Sequence, residues 1–114
     1  MARVNRSALV MYSAEQMFKL VNDVEAYPNF LPGCVEGKVL EHSSQQMVAV
    51  VGVSKASIHK TFTTRNTLTP YNTIDMELVK GPFKMLRGIW RFVSLDEQAC
   101  KIELDLEFEF ISPL

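Results

Sequence analysis

The stretch Cys100–Phe110, CKIELDLEFEF, alternates without a break: Cys100, Ile102, Leu104, Leu106, Phe108 and Phe110 are apolar, while Lys101, Glu103, Asp105, Glu107 and Glu109 are charged. Period two sustained over such a length is a β-strand with one face buried and the other in water. A strand of this kind needs a neighbour of matching pattern, and residues 86–95 supply one. There Leu86, Gly88, Trp90 and Phe92 share the inner face, and Arg87 and Arg91 point outward, placed to pair across strands with the acidic row.

Working back towards the N-terminus, period-two segments rich in Val, Ile, Thr and Phe recur at residues 34–42, 46–54, 57–69 and 73–80, ending in 99–111. The linkers HSSQQ, TPYN and SLDEQA are short and polar, which demands antiparallel neighbours. KGPFKM reads as a longer, odder connection. In 57–69 Lys60 and Asn66 interrupt the alternation and leave the face assignment open. Residues 3–11 alternate loosely, with Val4, Ala8 and Val10 on one side, as a first strand would. Ser13 is then placed as an N-cap, with Gln16 able to complete a capping box, and Met17, Phe18, Val21 and Val24 form one apolar stripe. The fold class is α+β: a curved antiparallel sheet of about seven strands with a short N-terminal helix, in one domain spanning 1–114.

That sheet is short of cover. A helix of roughly 16 Å faces a sheet roughly 30 Å wide, from a 1.5 Å rise per residue and strands near 4.8 Å apart. The chain stops at FEFISPL, where Ser112 and Pro113 suit the cap and first residue of a further helix. A long C-terminal helix is therefore expected to be absent from a chain that naturally continues. Between the first helix and the second strand lies YPNFLPGC, Tyr27–Cys34. Pro28, Pro32 and Gly33 make it a turn or short irregular helix carrying Tyr27, Phe30 and Leu31.

The order strand, helix, proline-rich turn and antiparallel meander resembles the START-like (SRPBCC) helix-grip superfamily of polyketide cyclase and lipid transport proteins. Within it, NDVEAYPNFLPGC, FTTRNTL, GPFKMLRGIWRF and LDLEFEF are similar to the branch of coenzyme Q-binding proteins and the ribosome-association toxin RatA, some labelled oligoketide cyclase. The resemblance implies a cavity for an apolar ligand, ubiquinone in the respiratory members. YPNFLPGC would close one end, through Tyr27, Phe30, Leu31 and Pro32, and GPFKML would form the facing lip. The wall expected from the inward aromatic and Met set is Phe62, Met76, Leu78, Phe83, Leu86, Trp90, Phe92, Leu106 and Phe108, the same residues that a plain core would use.

The leading function so implied is non-enzymatic carriage or chaperoning of an isoprenoid lipid in support of respiration. The alternative is a toxin that binds the large ribosomal subunit and blocks 70S association. Implied partners are thus a hydrophobic molecule or lipid, the large subunit, a transient membrane contact, and self-association through the uncovered sheet.

Composition sets the outer limits. Apolar residues at 47% and charged ones at 22% describe a globular protein, and a net charge of −1 gives no overall pull towards nucleic acid. Charge is nevertheless uneven, basic from Lys55 to Arg91 and acidic from Asp96 to Glu109. Arg65 and Lys84 are the candidates for a phosphate or RNA contact, against a solvated sheet surface with cross-strand ion pairs. Cys34 and Cys100 read as free buried thiols. His42 and His59 match no triad or metal spacing, so neither catalysis nor a metal is expected. With no signal peptide pattern and no apolar run of ~20 residues, the expected location is the cytoplasm.

Overall fold

A computed structural model describes residues 1–111. The elements are β1 (Ala2–Val10), α1 (Ala14–Asn22), a 3₁₀ turn (Val24–Ala26), α2 (Tyr27–Phe30), β2 (Cys34–His42), β3 (Gln46–Lys55), β4 (Ile58–Thr69), β5 (Thr73–Lys80), β6 (Phe83–Asp96) and β7 (Ala99–Phe110). All seven strands form one antiparallel sheet in the order β1-β7-β6-β5-β4-β3-β2. From β2 onward each strand pairs with the next, as short linkers require. β1 instead lies beside β7, so β1 and β2 occupy opposite edges. The chain between them must cross the whole sheet, and that crossing places the helices on one face.

Local chemistry fixes the crossing. Ser13 Oγ accepts from the Gln16 N–H at 3.0 Å, and the Ser13 N–H donates to Gln16 Oε1 at 2.9 Å, which closes the expected capping box. Phe18 then points into the sheet, 3% exposed, with its ring edge-on to Phe92 and Tyr71. The 3₁₀ turn comes so close to β2 that a Cβ on Gly37 would sit 2.1 Å from the Val24 carbonyl oxygen, and only glycine fits there. After α2 the chain reverses at Gly33, whose φ of 83° lies in the left-handed region. Its carbonyl accepts the Ser54 N–H at 2.8 Å and ties the turn to β3.

The core gathers beneath these helices: Phe18, Val24, Met47, Ala49, Leu68, Ile74 and Phe92. Cys34 and Cys100 are buried free thiols, and burial pushes the Cys100 thiol up. Two expectations need correction. Phe83, Lys84 and Met85 belong to β6, so the connection from β5 is only Gly81-Pro82. Arg87 and Arg91 do sit opposite Glu107 and Glu103, but the ion pairs closed on this face among the described residues are Arg3–Asp105 and Arg65–Glu77. The positions proposed to start a further helix, Ser112 and Pro113, lie outside the described residues.

Candidate functional site

Residues directly opposite one another in neighbouring strands share a face, so the register lists the inner surface row by row. One row runs Met47, Asn66, Met76, Gly88, Leu106, Val4. The next runs Leu68, Ile74, Trp90, Leu104, Arg6. At the far end lie Val51 opposite Phe62, Leu86 opposite Phe108, and Phe83 opposite Phe110. Period two accounts for all of these except Asn66, Arg6 and Phe83, the last brought to this face by a register shift between Phe83 and Met85.

The helices cover only part of this surface. Of the residues expected to line a cavity, Phe92 is core at 3% exposed, and Met76 and Trp90 pack against the core. Phe62, Leu78, Phe83, Leu106 and Phe108 remain half-buried towards the other end, with Leu86 buried beside them. There the rings contact one another: Phe83 meets Phe62, Phe108 and Phe110 at centroid distances of 5.7, 6.1 and 4.9 Å. Phe110, placed on the inner face by its alternation but not among the expected lining residues, is 58% exposed. An aromatic cluster satisfied mainly by itself is a surface suited to apolar contact.

YPNFLPGC divides in two. Tyr27 packs against the core, its hydroxyl donating to the Val21 carbonyl, and burial pushes its pKa up to about 12. It braces the crossing segment and does not stand at a rim. Phe30, Leu31 and Pro32 are exposed, with the Phe30 ring edge-on to Tyr27 at 5.8 Å.

Among the described residues the inner face holds one buried polar pair. Thr64 Oγ1 donates to Asn66 Oδ1 at 2.9 Å, and both residues are at least 94% buried. Asn66 had shown only as a break in the alternation. The pair has neither a charged member nor a basic nitrogen, so it offers hydrogen bonds but no general acid or base at neutral pH.

The outer face is charged. Arg65, Glu77, Arg87, Glu107 and Arg3 follow one another across five strands in alternating sign. Arg3 donates to both Asp105 oxygens at 3.1 and 3.0 Å, and this holds the Asp105 carboxyl below its ordinary range. Arg65 lies 3.9 Å from Glu77, while Lys84 is exposed within β6. A shallow depression of about 340 Å³ opens on this side around Arg87, Arg91 and Asp105, and another of about 560 Å³ lies at the end of β4 and β5 around Lys60, Thr63 and Lys80. Among the described residues no cluster of His, Cys, Asp or Glu could hold a metal.

Residues 10–114 match the polyketide cyclase/dehydrase and lipid transport family. The chain belongs to that family. Over all 114 residues it is 65% identical to the ribosome association toxin RatA of Vibrio cholerae, covering 79% of that protein. It is 27% identical to the mitochondrial coenzyme Q-binding protein COQ10 homolog B of Xenopus laevis, covering 47% of it. Among solved structures, a START superfamily protein from Mycobacterium smegmatis superimposes with a TM-score of 0.83 at 24% identity, over 98% of this chain and 79% of that one. The START-like fold expected from the sequence is thus the fold present. No helix among the described residues is long and apolar enough to cross a membrane.

Proposed function

We propose that this protein is a single START-like unit that associates with the large ribosomal subunit in the cytoplasm and hinders formation of 70S ribosomes. The observation that carries this reading is 65% identity, over every residue of the chain, to a protein named for ribosome association. Identity at that level must extend beyond the buried residues, which are a small minority of the chain. The sequence alone had placed lipid carriage first, and the weight of the relatives reverses that order. Expression in cells followed by sucrose-gradient sedimentation tests it: 70S particles should fall while free subunits rise. Unchanged 70S levels overturn the proposal.

A second reading, binding of an apolar molecule without catalysis, is favoured by the aromatic end of the inner face. A quinone-like isoprenoid fits its chemistry, through apolar burial worth roughly 25 cal/mol per Å². The buried Thr64–Asn66 pair provides hydrogen-bonding groups but no acid or base for turnover. Native mass spectrometry of protein purified from cells should show a co-purifying lipid, and its absence at every preparation counts against this role.

A further inference from the structure

We propose that the aromatic end of the inner face takes a single-chain amphiphile with an anionic head, a long-chain carboxylate or phosphate monoester. The inference rests on the apolar-ligand reading and specifies the head group that this end selects.

By register Lys60 lies opposite Val53 and Lys55 opposite Ile58, in step with Phe62 opposite Val51 on the inner surface. The two lysines are therefore diagonal neighbours on the inward side of the β3–β4 hairpin, with Cα atoms roughly 7–8 Å apart. Pairing of β4 with β5 begins only at Thr63, so this part of the hairpin projects past the end of β5. Both lysines are exposed and stand at a rim. Phe62 follows two residues along β4 from Lys60, roughly 7 Å at a strand's usual rise, and its ring meets Phe83. Cations and the aromatic cluster thus adjoin on one face.

The charges of this face share a sign. Among the described residues, each charged side chain at an inward position of the register is a cation: Arg6, Lys55 and Lys60. Glu36, Glu107 and Glu109 face outward, since they lie opposite Gly52, Arg87 and Met85. On the helical segment Glu15 pairs with Lys19 and Glu25 accepts the Val39 N–H, at the covered end. Neither Lys55 nor Lys60 has a carboxylate within ion-pairing distance among the described residues.

A neutral molecule would use the rings and leave both cations without a partner. An anionic amphiphile uses both: its tail lies against Phe62, Phe83 and Phe108, while its head stays at the rim. Water still reaches the head there, so the charge is not buried, and the two ammonium groups can hold it through charge-assisted hydrogen bonds.

Isothermal titration of the full chain with dodecanoate, dodecyl phosphate and uncharged dodecanol, each below its micelle concentration, tests this. At least one anion should bind one per chain and about tenfold tighter than the alcohol, and the tighter anion names the head. Lys55→Ala/Lys60→Ala should abolish that preference and leave dodecanol affinity unchanged. Lys38→Ala/Lys80→Ala removes the same charge from the outer face and should change neither, with thermal melts confirming that each variant folds. Equal affinity for anion and alcohol, a preference that survives Lys55→Ala/Lys60→Ala, or an equal loss in the control would overturn the anionic head while the apolar-ligand reading stands. If none of the three binds, both fall. Adsorption to phosphatidylglycerol vesicles that needs Lys55 and Lys60, without uptake of a free anion, would assign these lysines to a membrane surface and overturn the proposal as well.

Discussion

The two ends of the inner face are built from the same strands with the same alternation, yet they are different materials. Under α1 and the 3₁₀ turn, Phe18, Met47, Ala49, Ile74 and Phe92 are all at most 3% exposed. Along the same β6 and β7, Phe83 and Phe110 stack on each other at the other end, with Phe110 largely in solvent. Inward direction is a property of a strand, but burial is a property of what crosses it. The helical segment from Ala14 to Phe30 covers the first end, so one apolar pattern yields a core there and an exposed aromatic patch elsewhere.

This contrast should break most visibly at Phe18. Phe18→Ala removes a ring that touches both Phe92 and Tyr71 and should cost about 3–5 kcal/mol of stability, measured by urea denaturation. Gly37→Ala attacks the same end through the backbone, since the new methyl would meet the Val24 carbonyl. A loss of about 1–3 kcal/mol is expected, as for other overpacked sites. A negligible change in either would mean that the helical segment is not what separates the two ends.

Tyr27→Phe sharpens the comparison more gently. It deletes the hydrogen bond to the Val21 carbonyl and should cost about 1 kcal/mol. The pH dependence supplies a second reading. The folded pKa, raised to about 12 by burial, exceeds the unfolded value near ~10, so this contribution is intact below about pH 10 and fades as pH rises towards 12. Thermal melts should show that alkaline loss in the wild type and less of it in Tyr27→Phe.

Much of this could be read from residue order. Alternation in Cys100–Phe110 fixed which side chains share a face, and Ser13 with Gln16 fixed where α1 begins. Pairing distance was less legible. Arg87 and Arg91 have the right parity to meet the acidic row, but the bidentate partner of Asp105 is Arg3, on a strand from the opposite end of the chain. That β1 lies beside β7 is a long-range fact that no local pattern encodes. Gly81-Pro82 looked like the start of a loop, yet the Pro82 carbonyl accepts the Ile111 N–H at 3.1 Å, so β6 begins directly after the turn. Asn66 looked like an error in a strand because its partner is Thr64 on the same strand, two residues away.

The smallest expected effect on stability falls at the open end and separates exposed surface from core. Phe110→Ser replaces a ring 58% exposed, so it should change unfolding free energy by under about 0.5 kcal/mol. It also removes one member of the stack with Phe83 and the edge contact with Phe108. If that cluster is a contact surface, fluorescence enhancement of a dye that reports exposed apolar patches should fall in Phe110→Ser while the melting curve stays in place. A destabilisation rivalling that of Phe18→Ala would instead place Phe110 in the load of the fold, and the distinction between the two ends would collapse. Loss of dye binding without loss of stability is the combination that a core residue cannot produce, because its removal must cost packing before it can cost binding.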